Sequence, residues 1–331
     1  MSLKAIAKQL GISVTTVSRA LNGYDDVSQE TRARVEAEAQ RRGYRPNTFA
    51  RRLKMGTIDA VGLVFPVRPA PLNNNVFLEM VGEISHELAR HDIDLLLIAD
   101  DEQADKHGYM RMVQGRRVDA LIVAHTLDDD PRLAQLQASG FPFLALGRSR
   151  LAQPYAWFDF DNYAGTCRAT RHLIQQGHQR IALLGENNNQ AFILQRRNGY
   201  LDALREAGLS DAWLRSVPAT RRGGYQATLE LLRLPDPPTA IITDCNTHGD
   251  GAAMALAHLG RLTGDNRVAL VVYDGLPQDS IIETDVAAVI QSTRQGVGRQ
   301  IADMVRRLIA GEDLATLQVL WQPEFFPGET A

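Results

Sequence analysis

Short apolar runs alternate with helical patterns from residue 58 onward, and this alternation restricts the fold more than any other feature of the sequence. Continuous apolar strands separated by helices are typical of parallel sheets that are covered on both faces. The predicted strands are Ala60–Phe65, Asp94–Ile98, Ala120–Val123, Phe143–Leu146, Ile181–Leu184, Ala240–Thr243 and Val268–Val272. So many strand–helix units in about 270 residues predict an α/β region with two lobes rather than a single sheet.

The segments between these strands show helical periodicity. Helices are predicted over Phe77–His91, Thr166–Gln176, Gln190–Ala207, Gly223–Arg233 and Gly251–Leu259. A late helix within Gln291–Leu308 is expected to return to the first lobe. Ligands of such sheets bind at the carboxyl ends of the strands, so candidate ligand contacts are expected just after the strands.

The first 45 residues contain three shorter helical patterns and no strand pattern. Helices are predicted over Lys4–Leu10 and Val14–Leu21, and Gly11 suits the turn between them. A third helix begins after Ser28, which is suited to cap it. Two helices joined by a tight glycine turn form the helix-turn-helix of DNA-binding proteins. Residues 1–45 are therefore predicted to be a DNA-binding domain.

Charge is distributed unevenly along the chain, whose net charge is −3. Residues 1–57 hold 11 Lys and Arg against 5 Asp and Glu, so this part is basic and the remainder is acidic. A small basic domain on an acidic body favours contact with a polyanion, although charge alone also fits a solvated helical surface.

The second helix is predicted to read bases in the major groove. Val14 offers an apolar contact to a thymine methyl, Thr15 a hydrogen bond to a base edge, and Arg19 a fork for guanine or phosphate. A single serine at a helix start is more often an ordinary cap than a DNA contact. The other predicted DNA contacts of this domain, mainly to phosphate, are Ser2, Lys4, Ser13, Thr16, Ser18, Asn22, Ser28 and Thr31.

The sequence from Leu3 to Pro66 closely resembles the lactose/galactose-repressor (LacI/GalR) family of bacterial transcriptional regulators. The resemblance rests on an IA pair followed by GIS..TVSRALNG, on VS..TR..V, and on GYRPN..AR.L. Weaker similarity continues through the rest of the chain. The family implies a helix-turn-helix head and a two-lobed body with doubly wound parallel sheets, like that of periplasmic sugar-binding proteins.

The resemblance gives residues 46–57 the role of a hinge, which becomes helical on operator DNA and enters the minor groove. Asn47, Ala50, Arg51 and Leu53 match positions of that segment. Leu53 falls on the residue that wedges between base pairs, a device known for apolar side chains. Taken alone, the segment also fits a plain basic linker.

The resemblance makes residues 58–331 an effector-binding and dimerisation domain. Its first lobe is expected over about residues 58–159 and 292–318, and its second over about 160–291 and 319–331. The segment Phe325–Ala331 carries no leucine heptads, so a dimer is expected rather than a tetramer. A dimer also suits a palindromic operator.

A set of polar and aromatic residues is predicted to bind an effector between the lobes. Asp274 matches the family's turn after a strand, and Arg196 matches the family's effector-binding arginine, with Arg197 as the alternative. Carboxylate, guanidinium and aromatic faces together suit a polyhydroxy compound such as a sugar. The aromatic and histidine candidates taken singly also fit a core or a loop. The further candidates are Phe77, His125, Arg148, Phe160 and Ser292, with either Asp244 or Asn246 in a segment that departs from the family.

The sequence thus predicts a repressor that binds a palindromic operator as a dimer and is released by a small sugar-like effector, in control of carbohydrate uptake or catabolism genes. One alternative is the same fold with a nucleobase or nucleoside co-repressor. Another is a cytoplasmic sugar-binding protein without a regulatory role. An enzyme is not expected, since the sequence shows no phosphate loop, no nucleophile elbow and no acid–base pair with a nucleophile.

Cofactors and metals are not expected either. Cys167 and Cys245 lack metal-site spacing, and His248 and Asp250 lack third and fourth ligands spaced for a metal. The sequence shows no signal peptide and no apolar run of ~20 residues, which predicts a cytoplasmic, nucleoid-associated protein.

Overall fold

The computed structural model describes residues 3–21, 24, 26–44, 58–67, 75–101, 107–186, 188–291 and 296–331. The chain separates into two compact units, Met1–Asp59 and Ala60–Ala331. The described part of the first unit is helical, and the second unit is α/β.

The first unit contains the helices α1 (Leu3–Leu10), α2 (Val14–Leu21) and α3 (Gln29–Arg41). Gly11 takes a φ of +67° between α1 and α2, in the left-handed region that glycine adopts without steric cost. The Ser13 hydroxyl accepts the Thr16 N–H at 2.9 Å and so caps α2. The predicted helix-turn-helix is therefore present. Its core contains Ile6, Ala7, Val17, Ala20, Val27, Val35 and Ala39.

The second unit has two lobes, each built on a six-stranded sheet. The sheet of the first lobe is parallel, in the order β11-β5-β4-β3-β1-β2. Its strands are β1 (Ala60–Pro66), β2 (Asp94–Asp100), β3 (Ala120–Val123), β4 (Phe143–Leu146), β5 (Ala156–Phe160) and β11 (Gln318–Trp321). Its helices are α4 (Asn75–Ala89), α5 (Gly108–Gln114), α6 (Pro131–Ser139) and α11 (Val297–Ile309). β1 is buried along its whole length, as its continuous apolar sequence predicts.

The sheet of the second lobe has the order β12-β10-β9-β8-β6-β7, and β12 alone among these strands is antiparallel to its neighbour. Its strands are β6 (Ile181–Gly185), β7 (Leu214–Ser216), β8 (Ala240–Thr243), β9 (Ala269–Tyr273), β10 (Ala287–Ile290) and β12 (Glu324–Phe326). Its helices are α7 (Asn162–Gln175), α8 (Ala191–Glu206), α9 (Arg221–Leu232) and α10 (Asn246–His258). Among the described helices, none has the length and apolar character needed to span a bilayer.

The chain passes between the lobes after β5, after β10 and between β11 and β12. Two of the lobe boundaries differ from those expected. Phe160 ends β5 in the first lobe, and residues 319–321 belong to β11 there, so the crossings fall at Asp161 and at residues 322–323. These two strands carry polar residues, such as Asp159 in β5 and Gln318 in β11. Their apolar pattern is therefore too short to be recognised in the sequence.

Candidate functional site

The helix α2 has one buried and one exposed face. Val17 and Ala20 are buried, at 0% and 1% exposed. Val14, Thr15 and Arg19 are exposed, and 39% of Val14 is accessible. The residues predicted to read bases thus share the accessible face of a small basic unit, where side chains are free to reach base edges.

Arg19 has a partner within its own unit. Its Nε donates to Asp26 Oδ1 at 3.0 Å, and its guanidinium carbon lies 5.2 Å from the centre of the Tyr24 ring. The side chains of Arg19 and Asp26 are about half exposed, so their ion pair is worth at most about 1 kcal/mol. The Arg19 guanidinium can therefore exchange Asp26 for guanine or phosphate at little cost in free energy.

The remaining predicted DNA contacts include two helix caps. Ser13 caps α2, and the Ser28 hydroxyl accepts the Thr31 N–H at 3.3 Å at the start of α3. These serines stabilise the helices whether or not they contact phosphate. Lys4 is exposed and Ser18 is half-buried. Several predicted contacts lie outside the described residues, and their roles stay predictions: Ser2, Asn22, Asn47, Ala50, Arg51, Leu53 and, in the body, Ser292.

The helix α8 carries the centre of the candidate effector site. Arg196 is 3% exposed, and its guanidinium carbon lies 4.9 Å from the ring centre of Phe192 and 3.4 Å from that of Tyr273. Its Nε donates to Asn162 Oδ1 at 2.9 Å, and its Nη1 donates to the Asp244 carbonyl oxygen. Ring stacking and these hydrogen bonds together fix the plane of the guanidinium.

Asp274 lies beside Arg196 at the end of β9. Its Oδ2 is 3.8 Å from Arg196 Nη2, and its Oδ1 is buried with no hydrogen-bond partner among the described residues. Burial raises the pKa of Asp274, an effect that Arg196 opposes. Asp274 also has a φ of +68°, a conformation that is costly for a residue with a Cβ. An unpaired buried acceptor costs about 1–3 kcal/mol, so this position favours a donor group from a ligand.

An aromatic wall next to Arg196 joins the two lobes. The ring centre of His125 lies 5.0 Å from that of Phe77 in the first lobe and 6.0 Å from that of Phe192 in the second. Burial lowers the pKa of His125 to about 4, so the ring is neutral at pH 7. We refer to Phe77, His125, Phe192, Arg196 and Asp274 as the inter-lobe group.

The segment after β8 forms a buried ion pair. Asp244 Oδ1 lies 2.7 Å from His248 Nδ1, and Asp244 Oδ2 accepts the Glu186 N–H at 2.8 Å. The other ring nitrogen of His248 donates to the Pro218 carbonyl oxygen at 2.7 Å. Burial lowers the pKa of His248, but the hydrogen bonds to Asp244 and Cys245 outweigh it and raise the pKa to about 11. The carboxylate of Asp244 is thus satisfied within the protein.

Asp244, Cys245 and His248 bring one carboxylate oxygen, one sulfur and one ring nitrogen within 4.8 Å of one another. In the sequence, His248 and Asp250 were considered and no metal was expected. Asp244 and Cys245 lie four and three residues before His248, and the helix that starts at Asn246 brings them beside the imidazole. Hydrogen bonds already account for the polar atoms of Asp244 and His248, so we assign an ion pair here. Of the two alternative effector contacts, Asp244 reaches Arg196 through its carbonyl, and Asn246 is buried at the start of α10.

Three other candidates are placed apart from the inter-lobe group. Arg148 Nε donates to Asp159 Oδ2 at 2.9 Å, and its Nη2 donates to Gln195 Oε1 at 3.2 Å, so Arg148 bridges the lobes. Phe160 is 7% exposed and packs in the core of the first lobe, as Phe77 does, so its role as an effector contact stays a prediction. Arg197 is exposed and lines a groove of about 230 Å³, which Asp244 also lines.

Among the residues that contact Arg196, Phe192 and Asn162 were not predicted, and Asp100 is a further unpredicted polar residue at the end of a strand. Phe192 lies four residues before Arg196 on the same face of α8, so helical spacing could have indicated it. Asp100 ends β2, and its buried Oδ2 has no hydrogen-bond partner in the part of the chain that the structure describes. The rule that ligands bind at strand carboxyl ends pointed to this position. Asn162 gave no signal, since an asparagine near a helix start resembles a cap.

Two family models match the chain. Residues 2–47 match bacterial regulatory proteins of the lacI family, and residues 58–330 match the periplasmic binding proteins and sugar binding domain of the LacI family. The chain is 65% identical to the HTH-type transcriptional regulator RafR of Escherichia coli over 330 residues, which are 100% of this chain and 98% of RafR.

Solved structures show the same relationship. A transcriptional regulator from Yersinia pestis biovar Microtus is 50% identical, with a TM-score of 0.79 over 82% of this chain and 98% of that one. The transcriptional regulator CelR in complex with cellobiose is 26% identical, with a TM-score of 0.72 and full coverage of both chains. The expected family is confirmed: the chain belongs to the LacI family of bacterial transcriptional regulators.

Proposed function

We propose that this regulator represses genes of carbohydrate uptake or catabolism and acts in the cytoplasm. It binds a palindromic operator as a dimer, and a small neutral sugar releases it. The single observation that carries the effector part of the proposal is the unpaired, buried oxygen of Asp274 beside the fixed guanidinium of Arg196.

The pair of Arg196 and Asp274 suits a ligand hydroxyl. The 3.8 Å between Arg196 Nη2 and Asp274 Oδ2 is too long for a direct hydrogen bond. A hydroxyl can accept from the guanidinium and donate to the carboxylate at the same time. The rings of Phe77, His125 and Phe192 supply apolar surface for the faces of a sugar ring.

The charge balance of the site favours a neutral ligand. Arg196 faces Asp274, Arg148 is paired with Asp159, and His125 is uncharged. No cation of this set is left over for a phosphate group, so a phosphorylated sugar fits less well. The complex of the related CelR with cellobiose supports the same class of ligand.

Two surfaces support the DNA-binding dimer. The face of α2 with Val14, Thr15 and Arg19 is accessible for a half-site. In the body, the edge strand β2 exposes 36% of Leu96 and 51% of Leu97. Exposed apolar residues at a sheet edge are suited to an interface with another chain. If that chain is a second copy, the dimer has the twofold symmetry of a palindromic operator.

A sugar screen tests the effector assignment. Thermal unfolding of the full chain is followed with neutral mono-, di- and trisaccharides, including ribose and cellobiose, because a bound ligand raises Tm by mass action. We call the sugar with the largest increase the panel sugar. It should weaken operator binding in a mobility-shift assay. A screen in which no sugar raises Tm, or a panel sugar that leaves operator binding unchanged, contradicts the proposal.

One observation favours a second candidate. The aromatic wall of Phe77, His125 and Phe192 also suits stacking on a purine base. Purine bases and nucleosides are therefore included in the screen. A base that raises Tm and strengthens operator binding identifies a co-repressor instead of an inducer.

A further inference from the structure

Asn162 lies where the first lobe crossing meets the effector-binding arginine. It begins α7 directly after Asp161 and is 1% exposed. Its side-chain oxygen Oδ1 accepts hydrogen bonds from Arg196 Nε at 2.9 Å, from Gln291 Nε2 at 2.9 Å and from the Tyr273 hydroxyl at 3.3 Å. One amide oxygen thus joins the effector site to the crossing that follows β10.

The amide nitrogen of Asn162 is tied to the first lobe. Its Nδ2 donates to the Phe160 carbonyl at 2.9 Å and to Asp159 Oδ1 at 3.3 Å, both in β5. The other oxygen of Asp159, Oδ2, accepts a hydrogen bond from Arg148 Nε. Arg148 also donates to Gln195 in the second lobe. The side chain of Asn162 therefore contacts both lobes and two of the three crossings.

The oxygen of Asn162 is shared by more donors than it can satisfy equally. A carbonyl oxygen has two lone pairs, whereas Arg196, Gln291 and Tyr273 all point a donor at it. A movement of one donor therefore changes the strength of the bonds to the other two. Such an atom responds to small displacements of the arginine, unlike a hydrogen bond between a single donor and acceptor.

We propose that Asn162 is the positioning residue that couples effector binding to the angle between the lobes. When a ligand hydroxyl binds Arg196, the guanidinium keeps its plane but is displaced within that plane relative to the Asn162 oxygen, and the bond to Gln291 at the second crossing changes with it. A ligand shifts the lobe equilibrium only through its different affinities for the two arrangements, and Asn162 supplies that difference at the crossings. The inference rests on the proposed function, since it takes Arg196 as an effector contact.

The ligand-free arm of the test measures amide hydrogen exchange in three variants of the full chain. Asn162→Leu removes the shared amide at similar size, and Gln291→Leu removes one donor at a half-buried position. Thr228→Val is the matched control, because it removes a buried hydrogen bond in α9 away from the crossings. Asn162→Leu should raise exchange by about tenfold or more at both crossings, in residues 159–163 and 288–291, whereas Thr228→Val should not. Unchanged exchange at 288–291 in Asn162→Leu overturns the inference.

The second arm measures operator affinity with and without saturating panel sugar. In Asn162→Leu and Gln291→Leu, the ratio of the operator affinities without and with the sugar should be about tenfold smaller than in the parent. The double variant should lose no more than either single variant, since both act through one bond. A purely structural role predicts full release at saturation, as expected for Thr228→Val.

The two arms separate this inference from the proposed function. If no sugar binds the parent chain, the sugar assignment fails and the exchange measurement alone decides the role of Asn162. If the panel sugar releases the parent and Asn162→Leu equally at saturation, the coupling role is wrong and the effector assignment stands.

Discussion

At the scale of single residues, Arg196 is oriented before any effector binds. Its guanidinium is stacked between two rings and hydrogen-bonded at Nε and Nη1. A fork that is already ordered loses little conformational freedom on binding, so more of its interaction energy appears as affinity. Removal of Arg196 should therefore impair the response to the ligand and leave operator binding intact.

Arg196→Ala and Asp274→Ala should each give a repressor that binds operator but no longer responds to the panel sugar. Each truncation removes a charge-assisted hydrogen bond from a buried site and should cost about 2 kcal/mol or more of sugar binding. Operator affinity is measured over a series of sugar concentrations, with Asp279→Ala, an exposed carboxylate, as the control. A variant that releases DNA at the parental sugar concentration lacks the assigned contact. Loss of operator binding without sugar indicates a structural role.

His125 should make the protein less stable as pH falls from 6.5 to 4. Its folded-state pKa of about 4 lies below the ordinary value of 6.5, so in this window the unfolded chain binds more protons than the folded one. The free energy of unfolding therefore falls by roughly 2–4 kcal/mol between pH 6.5 and pH 4. Urea unfolding over this range measures the effect. His125→Asn should flatten it, and asparagine tolerates the positive φ of +52° at this position.

His248 should make the protein less stable as pH rises, which is opposite to the effect of His125. Its pKa is raised to about 11 beside Asp244, so the folded chain holds a proton above pH 6.5 that the unfolded chain releases. The stabilisation is complete below pH 6.5 and is lost as pH rises toward 11. His248→Gln should have a lower free energy of unfolding at pH 7 and a weaker dependence on pH between 7 and 10. An unchanged alkaline slope in this variant contradicts the assigned ion pair.

At the scale of elements, α2 should determine which operator is bound. Val14 and Thr15 are exposed, and Val17 and Ala20 on the opposite face are buried. Exchanging Val14 and Thr15 for other residues should change the preferred half-site, at about 1–3 kcal/mol for each lost base contact. Selection from randomised operators measures the preference. The same consensus after both exchanges would mean that other residues read the bases.

The strands whose bounds could be predicted most closely are buried on both faces, although the edge strand β2 was also predicted from its apolar run. β1, β3 and β8 are continuous apolar runs, and their bounds in the sequence nearly equal those in the structure. β7, with Leu214, and β12, with Glu324, have only three residues each and lie at sheet edges. An edge strand needs few apolar residues, so its sequence resembles a loop.

The candidate site could be predicted only in part, for a related reason. Arg196 and Asp274 were found because motif position and the ends of strands indicate ligand contacts. The contacts of Arg148 and Phe160 are made with residues far away in the sequence, such as Gln195 and Trp321. Periodicity and spacing carry no information on such long-range pairs.

At the scale of the whole molecule, the exposed edge of the first sheet should be part of the dimer. Leu97→Lys places a charge on β2 at a residue that is half exposed in the single chain. Burying that charge in an interface without a partner costs several kcal/mol, so the variant should dissociate into monomers at concentrations where the parent is dimeric. Sedimentation velocity measures the oligomeric state, and Ile281→Lys in the second lobe is a comparison at another exposed apolar residue. A dimeric Leu97→Lys protein excludes this edge from the interface.

The strands β11 and β12 lie only a few residues apart, yet each closes the edge of a different sheet. During translation the ribosome completes the helix-turn-helix first, whereas the first lobe lacks its last strand until residue 321 has been made and the second until residue 326. A product of termination before β11 exposes β5 and β10, which are inner strands of the complete sheets, and such exposed strands promote aggregation. Chains that end before residue 318 should therefore be recovered in lower amounts than the full chain, although their helix-turn-helix is complete.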